Sequence, residues 1–208
     1  MAGPGSPHRG ERVRRRAAEF LTLTHQCWLF VIGSACFAVA TAPGFPALAG
    51  AGATNVLCFI GSWFFTTAGW TQLQLARGRV EWYSAATQFV GTILFNVSTG
   101  ASVWAHAVFA ERRLVWAPDA VGSTAFLISG VLGVIAVGWW SPRSADWRAQ
   151  WINLAGCVAF GISALAAFVT RTGVTVDERV ANLGTFVGAL CFLTAALMVL
   201  PQRRATEP

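Results

Sequence analysis

Apolar residues run through this chain in long blocks, and the polar ones gather in short gaps between them. Six blocks stand out, at residues 20–42, 53–74, 84–107, 120–140, 151–170 and 180–200. Each is close to the roughly 20 residues that a helix needs to cross a hydrocarbon core about 30 Å thick. None alternates with the period of two that a barrel strand requires. A lipid core cannot hydrate free backbone groups, so the blocks are predicted to be helices. The expected fold is an all-α polytopic bundle of six transmembrane helices. A basic tail, 1–19, precedes it and a short tail, 201–208, follows.

A second pattern lies inside the blocks. Glycine is followed four residues later by phenylalanine at Gly33–Phe37, Gly61–Phe65, Gly91–Phe95, Gly122–Phe126, Gly156–Phe160 and Gly188–Phe192, one copy per span. Random placement of this composition would give roughly 1.5 copies. The residue after each glycine is small: Ser34, Ser62, Thr92, Ser123, Cys157 and Ala189. Positions i and i+4 share a helix face, so each span presents a notch with an aromatic ring one turn further on. Such notches let helices approach closely in lipid. Gly33, Phe37, Gly61, Phe65, Gly91, Gly156, Gly188 and Phe192 are therefore the expected packing residues.

The copies also pair. Gly33, Gly91 and Gly156 are 58 and 65 residues apart, and Gly61, Gly122 and Gly188 are 61 and 66 apart. This predicts three hairpins of the same orientation, repeated about an axis along the membrane normal. By these boundaries Gly122 falls at a helix end, which makes the middle hairpin the weakest copy. Asp119, after Pro118, reads as the N-cap of the fourth helix.

The tandem "FVIGSACF…CFIGSWFF" of the first hairpin resembles the YrhK-like family of small bacterial membrane proteins, as does "NLAGCVAFGISALAAF…ANLGTFVGALCFLTAALMVLP" at residues 153–201. The resemblance covers the first and last hairpins better than the middle one. It implies a membrane location, and it carries no catalytic residues over to this chain.

Charge sets the orientation. Only 12% of residues are charged, about half the usual fraction for a soluble domain, and all fifteen basic residues are arginine. Eleven arginines fall on the side of the two chain ends and four on the other: Arg112, Arg113, Arg171 and Arg179. The bias predicts cytoplasmic termini in a bacterial inner membrane. The pair in "ERRLVW", residues 111–116, lies in an expected outer loop. The N-terminal arginines are placed to meet anionic headgroups, so the bilayer is the expected partner and nucleic acid is not. Seven tryptophans, Trp28, Trp82, Trp116, Trp139, Trp140, Trp147 and Trp151, fall near predicted interfaces. "AVATA" at the end of the first span offers A-x-A cleavage sites, but that span carries the repeat and reads as part of the fold.

Candidate chemistry is sparse. Gln88, Thr92, Asn96, Thr99 and His106 share one face of the third span, and Asn55, Ser62, Thr66 and Gly69 form a weaker stripe on the second. Polar groups in lipid must find partners, so these faces turn inward, either to bond one another or to line a polar path. His25 and His106 lie at opposite membrane faces, too far apart to ligate one haem. Neither a metal nor a cofactor is expected, and Cys27, Cys36, Cys58, Cys157 and Cys191 read as packing thiols. Acidic residues are confined to interfaces and loops, and no nucleophile motif is present, so no catalytic residue is expected. The expected function is that of a non-enzymatic structural or interaction protein. The alternative is a small-solute or ion transporter with a path along the third helix. A mid-membrane cavity lined by both stripes would distinguish the two.

Overall fold

The computed structural model describes residues 7–105 and 107–200, with side chains from residue 22 onward. The helices are α1 (Pro7–Thr41), α2 (Phe45–Leu75), α3 (Arg79–Ser102), α4 (Val108–Val137), α5 (Ala145–Ala166) and α6 (Glu178–Val199). An isolated antiparallel bridge, Val169 to Thr175, braces the α5–α6 connection. Consecutive helices pack side by side, and α6 returns to α1, so the six form a closed ring. The α2–α3 and α4–α5 connections mark one end of the bundle, here the near end. The other three connections mark the far end.

Most helices overrun the blocks seen in the sequence, because backbone hydrogen bonding continues past the apolar stretch until a cap stops it. Residues 7–19, read as tail, belong to α1. At the start of α3, the Glu81 carboxylate accepts from the backbone N–H groups of Arg77 and Gly78. Asp177 caps α6 by accepting from Val180 N–H at 3.0 Å. In α2 the helix begins at Phe45 but breaks at Gly50, where φ is 79°, a conformation glycine adopts without strain. α3, by contrast, stops at Ser102, short of the expected 107.

The largest departure is in α4. Residues 111–116, expected as a loop, form a π-helical turn inside a helix that starts at Val108. Asp119 therefore caps nothing: it lies within the helix, half-buried, one turn before Gly122. The reading that acidic residues keep to interfaces and loops fails there. Gly122 also leaves the helix end and takes a position deep in the span.

With that shift, the three hairpins become equivalent. A methyl group placed on Gly33 would sit 2.9 Å from the carbonyl oxygen of Gly61, and one on Gly61 would sit 3.0 Å from that of Gly33. Gly91 and Gly122 stand in the same relation, each at 3.1 Å from the other's oxygen. A methyl on Gly188 would meet Gly156 O at 3.1 Å, and one on Gly156 would meet the Cys191 side chain at 2.9 Å. Backbone touches backbone in each pair, and no side chain fits between.

The phenylalanines one turn away all point to the centre of the ring and are buried. Phe37, Phe95 and Phe160, from the helices running toward the far end, make a closed triangle with centroids 5.5–6.4 Å apart. Phe65, Phe126 and Phe192, from the returning helices, form a layer nearer the near end, where Phe192 touches both others at 5.7 and 6.0 Å. Within each hairpin the layers meet, as Phe37–Phe65, Phe95–Phe126 and Phe160–Phe192. Mostly edge-on geometry suits the ring quadrupoles. All six residues that follow the glycines are at most 2% exposed.

Polarity is inverted relative to a water-soluble bundle. Ser34, Ser62, Gln88, Thr92, Ser123 and Ser129 are buried, while Trp63, Val90, Ile128, Ile135, Leu165 and Leu197 face outward. Five helices are long and apolar enough to cross a membrane. The exception, α3, is long enough, at about 36 Å for its 24 residues, but carries the polar face. It sits in the ring between α2 and α4. The chain is an integral membrane protein.

Equivalence of the hairpins has a direct test in detergent melting. Gly33→Leu and Gly122→Leu should each destabilise the bundle by about 1–3 kcal/mol, the range for overpacking a close contact. Gly52→Ala, where nothing lies within 4 Å, should be neutral or slightly stabilising. A Gly122→Leu protein that melts with the wild type would break the equivalence.

Candidate functional site

The polar face of α3 docks on the polar stripe of α2. Asn96 anchors it: its Oδ1 accepts from the Ser62 hydroxyl at 2.7 Å, and its amide donates to Ser62 O at 3.2 Å and to the Thr66 hydroxyl. Thr66 also donates to Thr92 O at 3.2 Å, and Thr99 donates to the Ser62 hydroxyl at 3.0 Å. Toward the far end, the Asn55 amide donates to Ser102 O at 2.8 Å. Asn96, Thr99 and Asn55 are thus spent on joining two helices, whereas the Thr92 hydroxyl donates to Phe89 O of its own helix and only its carbonyl joins the junction. His106 lies outside the described residues, as do the side chains of the N-terminal arginines and residues 201–208.

Gln88 behaves differently. It is 96% buried on the near side of the phenylalanine layers, and its Oε1 lies 3.0 Å from the Ser129 hydroxyl of α4. Ser129 and Ser84 exchange hydroxyl-to-carbonyl bonds at 2.8 Å, which fixes this corner. Of the predicted path residues, Gln88 lines a near-end cavity. That cavity, about 80 Å³, also takes the side chains of Gln26, Gln72, Gln150 and Asn153. Phe30 and Phe192 close its inner end. It shares Gln26, Gln72 and Gln150 with a wider vestibule of about 730 Å³, whose rim carries Arg79, Glu81 and Asp146.

These extra carboxamides were legible only in part. Asn153 precedes Gly156 by three, as Gln88 precedes Gly91, so the repeat itself marks it. Gln26, Gln72 and Gln150 stand at span ends, where a glutamine reads as ordinary solvated surface. Only the ring brings them together, with each hairpin contributing at least one.

At the far end, the π-helical turn sets Arg112 over the Phe168 ring and Arg113 over the Phe109 ring, both at 5.1 Å. With Arg171 and Trp116 they border a shallow cavity. Trp116 is no simple interface anchor, since its indole N–H donates to Ala164 O of α5 at 2.9 Å. At the near end, tryptophans pack around the α4–α5 turn, Trp139 against Trp151, Trp151 against Trp147 and Trp147 against Trp140. Among the described residues no group of acids, histidines and cysteines is arranged to hold a metal.

The Asn96 junction should behave as packing. Asn96→Leu should cost about 1 kcal/mol, because Ser62 and Thr66 keep bonds to Phe59 O and Ser62 O within their own helix. In a Ser62→Ala, Asn96→Ala double-mutant cycle read by melting, the coupling should be about 0.6–2 kcal/mol. Zero coupling would remove the junction from the account of stability.

No protein-family model matches the chain, and no curated protein or solved structure is significantly similar to it. Its identity thus rests on its own geometry, that of an all-α integral membrane bundle.

Proposed function

We propose that the chain is a non-enzymatic structural or interaction protein of the membrane and does not conduct solutes. One observation carries this reading: two layers of phenylalanine fill the axis of the ring, where a path between three hairpins would run. The α2–α3 junction supports it as well, since Ser62, Thr66, Asn96 and Thr99 bond one another across the two helices instead of facing a path. The arginine bias of eleven to four supports a bacterial inner membrane with cytoplasmic termini, and hence a cytoplasmic near end. Kinship with the YrhK-like proteins belongs to the same proposal and rests on the paired glycine–phenylalanine motif.

A second reading, a small-solute transporter, draws on the carboxamide cavity, which reaches the phenylalanine layers from one side only. Flux through liposomes separates the two. Purified protein should pass potassium, urea and glycerol no faster than empty vesicles do. Selective flux that Asn96→Leu abolishes would replace the present reading with the transporter.

A further inference from the structure

The near-end cavity is neutral, polar and built from all three hairpins. Gln26 comes from α1, Gln72 from α2, Gln88 from α3, and Gln150 and Asn153 from α5. Among the described residues no charged side chain lines it, and Arg79, Glu81 and Asp146 stand at the vestibule outside. Five primary carboxamides supply ten N–H donors and five carbonyl acceptors at a point where the neighbouring walls are Ala149, Ala195, Ala196 and two phenylalanine rings.

The hydrogen bonding inside the protein takes up only part of these groups: the Asn153 amide donates to Cys157 Sγ at 3.9 Å, and the Gln88 oxygen accepts from Ser129. Gln72 Oε1 is buried and has no partner among the described residues. The one Ser129 hydroxyl hydrogen is shared between Ser84 O and Gln88 Oε1, and the Gln88 amide has no acceptor among the described residues. The position of Gln150 depends on a missing side chain: a methyl on Gly133 would lie 2.5 Å from Gln150 Oε1 and 3.2 Å from its carboxamide carbon. Glycine at 133 is what lets α5 bring this carboxamide against α4.

We propose that this cavity is a binding site for a small uncharged molecule carrying both hydrogen-bond donors and acceptors, of the size of a simple amide. Its volume, about 80 Å³, matches the liquid volume of roughly two to three waters, hence a ligand of about four non-hydrogen atoms. Carboxamides satisfy such a molecule without the unpaired charge that would be costly next to phenylalanine. An ion would find no counter-charge among the described residues that line it. The ligand enters from the vestibule, and Phe192 ends its route at the axis. A sealed bundle with this site is a receptor that faces one side of its membrane. This goes beyond the structural role, and the two can fail separately: flux would overturn the sealed bundle, whereas loss of binding overturns only the site.

The test is equilibrium binding of radiolabelled acetamide to the full chain in nanodiscs, competed by unlabelled urea and by potassium chloride. So few atoms limit the dissociation constant to about tens of micromolar at best, and millimolar values are the working range. Saturable binding at one site per chain is expected, displaced by urea and indifferent to potassium. Gln150→Leu and Gln88→Leu should each weaken it at least tenfold. Gly133→Ala should weaken it severalfold while melting near the wild type, because a glutamine side chain can swing away from the added methyl. That variant decides the matter if Gln88→Leu fails to fold. Thr67→Ala, exposed and outside the cavity lining, should bind as the wild type does. Absence of saturable binding would mean that the cavity holds water only, and binding that survives in Gln150→Leu and Gly133→Ala would place the ligand elsewhere. Either result overturns the site.

Discussion

The contact on which the rest of this bundle depends is between two backbones. In every hairpin a glycine on one helix lies against a glycine on the next, close enough that a methyl group on either would overlap the partner helix. Helices in lipid gain little by burying apolar side chains from each other, since the surrounding tails are equally apolar. Close packing and backbone approach supply the attraction instead. The glycines permit that approach, and the phenylalanine one turn further on fills the space it leaves toward the axis. Because the unit recurs three times, the ring closes and the six aromatic rings become one core.

The same arrangement explains where polar groups go. With the axis filled by aromatic rings and the outside by lipid-facing aliphatics and tryptophans, buried polar side chains gather between helices, while exposed Thr67, Thr124 and Thr194 bond the carbonyl one turn back in their own helix. Asn96 takes that place between α2 and α3, Ser84 and Ser129 between α3 and α4, and Ser163 and Thr185 between α5 and α6 at 2.8 Å. Each junction differs chemically, which distinguishes three otherwise similar hairpins and fixes which face meets which.

The near-end cavity marks where the repeat stops being a repeat. At the position three before the glycine, α1 carries Phe30, α3 carries Gln88 and α5 carries Asn153. The packing unit constrains the glycine, the small residue after it and the phenylalanine, and leaves this neighbouring layer free. That layer is the one lined with carboxamides. Asp119 is its counterpart on the far side, three before Gly122, where α2 has Cys58 and α6 has Thr185. Divergence from the repeat is concentrated on the two layers that flank the aromatic core.

The sequence by itself determined the all-helical membrane class, the six spans and the pairing of the glycine–phenylalanine units, because hydropathy and a four-residue spacing act locally. It also determined that the polar faces of the second and third spans turn inward, since lipid admits no resting place for them, but it left open whether they bond one another or line a path. Tertiary structure alone decided the rest. Asp119 reads as a cap and "ERRLVW" as a loop from composition, yet packing of α4 against α3 carries the helix through both and places Gly122 opposite Gly91. Gln26, Gln72 and Gln150 read as span-end glutamines until ring closure brings them to one cavity. Local spacing fixes which face a residue occupies. It cannot fix which distant faces meet at the axis, because that depends on the whole ring being closed.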